Sequence, residues 1–276
     1  MGIERSLRNF VVRTPLAESR FVGGAYATLN RIRFRRSWDR PVEFRGSRFV
    51  IGRDLTLYPF VRAGGFEERE LDWLLPRIKP GDVVWDVGAN VGIYTVLLAK
   101  RARRVVAFEP IPATMARLRA NIGLNGIDNA EPVEAALADE AGRRSMAVLA
   151  SGAGGSHLVR DGGGSFEVAV TTGDRYAAEH GAPDVVKVDI ESFEPEFVRG
   201  ASAVLRDRRP LLTLEVNRTS MATAAERERW QAMADDLFGW YGEAVWFGPS
   251  GPPVTLRGLT PDEVPLRPCT LAFGRI

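Results

Sequence analysis

Short apolar runs and longer amphipathic stretches follow one another along this 276-residue chain. The apolar runs predict buried strands, because a parallel strand that is covered on both faces is apolar at nearly every position. The stretches between them predict helices, and regular alternation of the two predicts an α/β fold with a mostly parallel sheet. Seven strands are predicted for this sheet: Val83–Val87, Val105–Phe108, Pro132–Ala136, Val185–Val188, Leu211–Leu214, Ala244–Phe247 and Thr270–Phe273.

A further strand is predicted at Phe166–Thr171, where apolar and polar residues alternate. An insertion precedes this strand, and glycine clusters at 152–155 and 162–164 lie at its two ends. The predicted helices are Glu67–Ile78, 93–100, Pro112–Leu124 and Ala224–Trp240.

The first part of the chain lacks this alternation, and residues 1–65 are predicted to form a small appendage. It precedes a core domain of residues 66–276. Within the appendage, helical features at 16–32 come before a hairpin whose strands are 42–45 and 48–51. The glycine between those two strands is typical of a tight turn.

The most informative stretch is a strand that meets an acid, then a glycine-rich turn, then a helix. Val83–Val87 is apolar except for Asp86, and Gly88 and Gly92 follow it. Glycine allows a sharp turn and a close approach of the backbone to a ligand. The next strand ends on Glu109, 21 residues after Gly88, which is where α/β nucleotide-binding folds place an acid for ribose hydroxyls.

Two ligand classes share this arrangement. Dinucleotides require a second glycine, because the pyrophosphate lies on the backbone there, but this chain has Asn90 at that place. S-adenosylmethionine has no pyrophosphate. Its adenosine needs an acid such as Glu109, and its methionine end fits the loop of residues 86–90, so the sequence favours this cofactor.

The resemblance to a known family extends beyond this loop. It runs from about Phe66 to Asn217, and one departure is Ser192, where the family commonly has glycine. In chain order, the segments that resemble the FkbM family of S-adenosylmethionine-dependent methyltransferases are FEERELDWLLPRIKPGD, VVWDVGANVGIYTVLLAK, VVAFEPIPATMARLRANIGLNG, VEAALADEAG, VVKVDIESFEPEFVRGA and RPLLTLEVN.

This resemblance implies a class I methyltransferase (Rossmann-like) fold with helices on both faces of the sheet. It also implies an antiparallel last pair of strands. The activity it implies is O-methylation of a sugar, a glycan or glycolipid, or a secondary metabolite. The residues predicted to bind the cofactor are Glu67, Asp86, Gly88, Asn90, Gly92, Glu109, Pro110, Ala136 and Asp189.

Candidate catalytic residues come from the carboxyl ends of the strands, where the site of an open α/β sheet lies. Methyl transfer to a hydroxyl needs an in-line acceptor oxygen and removal of its proton. His157, in a glycine-rich segment predicted to be a loop, is a candidate base because imidazole titrates near neutrality. Asp189 and Glu191 are the alternative candidates for this role.

A metal site is the remaining option for the strand ends. Asp189, Glu215 and Asn217 carry oxygen ligands that suit magnesium. The same side chains can hold a sugar by hydrogen bonds, and we favour this metal-free interpretation over a bound Mg²⁺.

Composition sets the remaining expectations. The single cysteine, Cys269, excludes an intrachain disulfide and a thiolate metal site, and a cytoplasmic enzyme without a transmembrane segment is predicted. Residues 1–53 hold twelve arginines and four acids, a net charge of +8, against +2 for the whole chain. This asymmetry indicates either an anionic partner or a solvated basic face. The expected partner is a small-molecule or glycan acceptor, and no nucleic-acid partner is expected. The protein is a possible homo-oligomer.

Three other functions share some of these features. A nicotinamide-dependent oxidoreductase is disfavoured by Asn90 and by the lack of an evident Tyr-x-x-x-Lys pair. A nucleic-acid methyltransferase that uses the basic N-terminus is disfavoured, since no Asn-Pro-Pro-Tyr motif and no RNA-binding motif is recognised. A non-catalytic binding module is disfavoured by the intact acid and glycine pattern.

Overall fold

The computed structural model describes residues 38–52, 54, 57–147, 157–158 and 166–274. The strands are β1 (Val42–Phe44), β2 (Ser47–Phe49), β3 (Val83–Val87), β4 (Arg104–Phe108), β5 (Ala130–Val133), β6 (Ala136–Leu137), β7 (Gly142–Ala147), β8 (His157–Leu158), β9 (Phe166–Thr171), β10 (Val185–Val188), β11 (Leu211–Val216), β12 (Ala244–Phe247), β13 (Val254–Leu256) and β14 (Cys269–Phe273).

The α-helices are α1 (Leu57–Arg62), α2 (Glu68–Leu74), α3 (Ile93–Ala99), α4 (Pro112–Leu124), α5 (Gly173–His180), α6 (Glu194–Gly200) and α7 (Ala224–Tyr241). A short 3₁₀ turn at Leu75–Arg77 extends α2, and a second one at Arg218–Met221 follows β11. A π-helical turn spans Val204–Arg208. Among the described residues, no helix is long and apolar enough to cross a membrane.

The large sheet has eight strands in the order β13-β12-β14-β11-β10-β3-β4-β5. The five strands from β11 to β5 are parallel, and β14 runs antiparallel to both of its neighbours. This order confirms the predicted class I methyltransferase fold. The predicted count of seven was one too low, because the edge strand β13 has only three residues and therefore no readable hydrophobic period.

Helices cover both faces of the large sheet, as predicted. Alternate residues of β3 point to opposite faces, so Trp85 packs in one apolar cluster and Val84 in another. Trp85 meets Phe108 and Tyr176 edge to face, with ring centroids 5.6 and 5.5 Å apart. These rings and β-branched side chains anchor the strand whose end carries the glycine-rich loop.

A second sheet has the order β6-β9-β7-β8. The predicted strand Phe166–Thr171 is confirmed as β9, but it belongs to this sheet. The predicted strand Pro132–Ala136 was wrong in its bounds: β5 ends at Val133, and Ala136 pairs with Val170 of β9. A single polar residue, Glu134, lies between the two short strands, and one polar residue is too weak a signal to predict a change of sheet.

The predicted hairpin is confirmed as β1 and β2. Two side-chain amides, one in α4 and one directly after it, hold the chain at its second strand. The Asn121 amide accepts from the Val50 N–H at 2.8 Å, and the Asn125 amide accepts from the Arg48 N–H at 2.9 Å. Phe49 has no exposed area and packs with residues of α3. The described part of the predicted appendage therefore packs on the core, while the helical features at 16–32 lie outside the described residues.

Candidate active site

Close packing makes glycine necessary in the loop after β3. Gly88 has φ +79°, and a Cβ atom there would lie 1.8 Å from the Asp189 carbonyl oxygen. Gly92 has φ +88°, and its Cβ would lie 2.4 Å from Cδ1 of Leu118. Asn90, between them, also has a positive φ of 50°. The loop therefore lies against the end of β10 and against α4, with its backbone open to the site.

Glu109 joins the loops that follow β3 and β4. Its carboxylate accepts from the Asn90 N–H at 3.0 Å and from the Ile111 N–H at 2.9 Å. Only 5% of Glu109 is exposed, and burial raises its pKa to about 7. Each carboxylate oxygen has a further lone pair, so the group can still accept from a ligand hydroxyl.

Asp86 lies beneath the loop. It has no exposed area, and its carboxylate accepts from the Thr95 hydroxyl at 2.6 Å. Its other oxygen lies 3.8 Å from Nζ of Lys187. Asp86 does not line any of the three cavities that the described residues form. Its contacts are instead with Thr95 of α3 and Lys187 of β10.

Two cavities meet at the carboxyl ends of β3, β4 and β10. The first has apolar walls on β4, β7 and β8, formed by Phe108, Ile111, Leu137, Met146, Leu158 and Phe193. Of the residues predicted to bind the cofactor, those that line it are Gly88, Asn90, Glu109, Pro110, Ala136 and Asp189. Gly92 supports the loop from behind.

The second cavity opens on the other side of the loop. Its apolar wall includes Leu57, Phe60, Phe66, Val91 and Ile93. Its polar side includes Glu67, Glu70, Tyr94, Lys187, Asp189, Glu191 and Glu215. The residues common to both cavities are Gly88, Asn90, Asp189 and Glu191. These four therefore mark the junction between the two cavities.

Three carboxylates converge in the second cavity. One oxygen each from Glu67, Asp189 and Glu215 lies within 4.8 Å of the others. Burial, together with the negative charge of Asp189, raises the pKa of Glu67 to about 7. The same two causes raise the pKa of Glu215 well above its usual range. Lys187 places its ammonium group 3.3 Å from Asp189.

The sequence did not point to every residue of this cluster. The Tyr94 hydroxyl donates to Glu67 at 2.6 Å, and the Lys187 ammonium lies 4.9 Å from the Tyr94 ring centre. Burial and the Glu67 charge raise the Tyr94 pKa. The only sequence signal was the alternation of Lys187 with Asp189, which places both on one face of β10.

Backbone strain is concentrated at the same place. Glu67, Glu191 and Ser192 have φ values of 39°, 49° and 79°, in the region that favours glycine. The positive φ of Ser192 explains why glycine is common there in the family that this chain resembles. Burial and the charge of Asp189 raise the pKa of Glu191 to about 7.

The structure adds one residue to the predicted ligand set and places another differently. Glu67 joins Asp189 and Glu215 in the carboxylate group, whereas the sequence had suggested Asn217 as the third oxygen ligand. His157 was expected in a loop, but its backbone lies in β8, paired with Ala147. The pairing was not predicted because β8 has only two residues. Its side chain and the glycine clusters beside it lie outside the described residues.

Comparison with known proteins gives the family. Residues 86–235 match the Methyltransferase FkbM domain, more than half of the chain. The chain belongs to the FkbM methyltransferase family. The matched segment begins at the acid of β3 and ends within α7, so it contains the glycine-rich loop, Glu109, Asp189 and Glu215.

Relatives of this FkbM family member include a hexuronic acid methyltransferase, AglP, of Haloferax volcanii, 32% identical over 51% of this chain and 58% of that protein. A 31-O-demethyl-FK506 methyltransferase of Streptomyces tacrolimicus is 42% identical over 25% of this chain and 27% of its own length. A solved FkbM methyltransferase of Methylobacillus flagellatus has 17% identity and a TM-score of 0.45, over 71% of this chain and 44% of that one. The alignments thus span less than two thirds of each relative.

Proposed function

We propose that this protein transfers a methyl group from S-adenosylmethionine to a hydroxyl of a sugar, a glycan or glycolipid, or a secondary metabolite. The observation that carries the proposal is the pair of cavities that meet at Gly88, Asn90, Asp189 and Glu191. A methyltransferase needs such a junction, because cofactor and acceptor must approach each other in line.

The first cavity fits the adenosyl part of the cofactor. Glu109 offers carboxylate oxygens for the ribose hydroxyls, and Ile111 and Met146 are part of an apolar wall suited to the adenine. The close approach of Gly88 to Asp189 holds the loop against the end of β10, next to the first cavity. The methionine end would then lie along the backbone of the loop at residues 88–90, which borders both cavities.

The cofactor supplies an electrophilic methyl group, and the residues at the junction would orient and deprotonate the acceptor. Glu191 and Asp189 lie where the acceptor hydroxyl must approach. A carboxylate with a pKa of about 7, as at Glu191, is matched to accept a proton near neutral pH. His157 remains the third candidate for this role.

The second cavity is therefore proposed as the acceptor site. Two relatives support a hydroxylated small molecule, because one is a hexuronic acid methyltransferase and the other a 31-O-demethyl-FK506 methyltransferase. The described lining contains carboxylates in excess, which argues against a polyanion such as a nucleic acid.

Replacing Glu109 by alanine is expected to weaken the binding of S-adenosylhomocysteine about tenfold or more. Loss of hydrogen bonds from a carboxylate costs about 1–3 kcal/mol, and 1.4 kcal/mol corresponds to tenfold in affinity. Isothermal titration calorimetry measures the change in affinity. A parallel titration with NAD tests the alternative ligand class, the dinucleotides. Glu228→Ala, at an exposed site on α7, is the control. Unchanged affinity in a folded Glu109→Ala protein contradicts the cofactor site.

Turnover is expected to survive removal of divalent ions. The residues that would hold Mg²⁺ are Glu67, Asp189 and Glu215, but Lys187 already lies 3.3 Å from Asp189 and supplies a positive charge there. Transfer of labelled methyl to extracted glycans and metabolites should persist in EDTA. A loss that added Mg²⁺ reverses would instead identify the three carboxylates as ligands.

A further inference from the structure

The second cavity is lined by many more acidic than basic side chains. Five carboxylates and one ammonium group belong to its lining, and no arginine does among the residues described. Buried charges of one sign need an opposite charge or hydrogen-bond donors close by. The charges therefore indicate the chemistry of the ligand that this cavity accepts.

Lys187 does not balance this charge. Its ammonium group lies 3.3 Å from Asp189 and 3.8 Å from the buried Asp86, so two carboxylates already share it. Glu67, Glu70, Glu191 and Glu215 remain. The Tyr94 hydroxyl donates to Glu67 but brings no charge.

A second, independent feature points to a ligand in the same place. A narrow recess adjoins the second cavity and shares Glu67, Lys187, Asp189 and Glu215 with it. Thr213 also lines this recess, is 7% exposed, and has a buried hydroxyl without a hydrogen-bond partner. Because buried polar groups are nearly always paired, this hydroxyl indicates that a polar group of a ligand or water enters the recess.

We propose that the acceptor is a hydroxylated compound that also carries an amino group and no carboxylate, such as an amino sugar or an aminocyclitol. Glu67, Asp189 and Glu215 hold its ammonium group, and its ring lies along the apolar wall at Phe60 and Phe66. This inference rests on the proposed function, since it concerns the acceptor of that reaction.

The spacing of the carboxylates fits an ammonium group. Hydrogen bonds of about 2.9 Å at tetrahedral angles place three acceptors about 4.7 Å apart. The three carboxylate oxygens lie within 4.8 Å of one another. A divalent ion at Asp189 would lie close to the Lys187 ammonium, whereas a monovalent ammonium group meets less repulsion.

The charge also separates this chain from one of its relatives. AglP is named for a hexuronic acid. A uronate carboxylate requires a cationic partner, which Arg supplies best. In the second cavity it would face Glu67, Glu70 and Glu215 instead. We therefore expect this site to reject a uronic acid.

The test compares glucosamine, glucose and glucuronate by calorimetry at pH 7, with the protein saturated by S-adenosylhomocysteine. Glucosamine should bind at least tenfold more tightly than glucose, and glucuronate should bind more weakly than glucose. Glu215→Gln keeps the shape of the side chain and should reduce the preference for glucosamine to threefold or less. Glu228→Gln, on the exposed surface of α7, should leave the preference unchanged.

Three results would overturn the inference: glucuronate binding as tightly as glucosamine, no binding of any of the three sugars, or a glucosamine preference that survives Glu215→Gln. A loss of affinity for S-adenosylhomocysteine in Glu215→Gln, with the sugar preference intact, would assign the carboxylates to the cofactor. Titration of the wild type with S-adenosylhomocysteine alone, done first, tests the proposed function separately.

Discussion

Replacing Gly88 by alanine is expected to abolish measurable binding of S-adenosylhomocysteine and to lower the melting temperature by about 10 °C. The new Cβ would lie 1.8 Å from the Asp189 carbonyl oxygen, and that oxygen belongs to the backbone at the end of β10. Either β10 or the loop must move. Left-handed strain costs about 1–3 kcal/mol and overpacking about as much again, while 1 kcal/mol shifts the melting temperature of a domain this size by about 2–4 °C.

Gly126→Ala is the matched control for this substitution. Gly126 has a positive φ of 64°, but a Cβ there would meet nothing within 4 Å. The alanine variant has the backbone strain without the clash. We therefore expect its free energy of unfolding to fall by about 1 kcal/mol and its ligand affinity to stay unchanged. Calorimetry and thermal denaturation measure both proteins. If Gly88→Ala binds S-adenosylhomocysteine within threefold of wild type, the loop does not form the cofactor site as described.

Glu191→Gln is expected to lower the rate of methyl transfer by about 10²–10⁴-fold, the usual cost of losing a general base. The base must be ionised to accept a proton. Because the pKa of Glu191 is raised to about 7, kcat/KM of the wild type should be low at pH 5.5, rise through pH 7 and level off above pH 8. Transfer of labelled methyl across this range gives the profile, and Glu191→Gln should lack the rise.

Two variants separate Glu191 from the other candidate bases. His157→Ala should keep both the rate and the pH profile if Glu191 is the base. Asp189→Asn should alter the profile as well, because the charge of Asp189 is one of the causes that raise the pKa of Glu191. A pH profile that persists in Glu191→Gln and disappears in His157→Ala would transfer the role of base to the histidine.

The sheet and the cofactor loop could be predicted because their signals are local. Val83–Val87 and Val185–Val188 consist mostly of valine, and the structure has both strands with the predicted bounds. Gly88 and Glu109 are separated by one strand–helix–strand unit, so the fold brings them together wherever that unit forms. Local hydrophobicity and a single strand–helix–strand crossover were therefore sufficient to predict the strands and the cofactor loop.

The carboxylate cluster could not be predicted in full, because its members come from distant parts of the chain. Glu67 directly precedes α2, Tyr94 lies in α3, and Glu215 lies near the end of β11. No spacing in the sequence relates them. Asp86 shows a further limit, because its side chain turns toward Thr95 beneath the loop, a direction that its position before the glycines does not reveal. Side-chain direction at a strand end depends on packing that a single sequence does not display.

The wall of the second cavity has a consequence for how such enzymes diverge. Leu57, Phe60 and Glu67 precede the segment that matches the family domain, and Thr270 follows it. The cofactor loop and Asp189 lie inside that segment. If the second cavity binds the acceptor as proposed, mutations in the flanks can change which acceptor is chosen, while the chemistry of the shared segment stays intact. Two proteins that are alike over the shared segment can modify unrelated compounds, and exchanging the flanks between them would be the direct route to a new substrate.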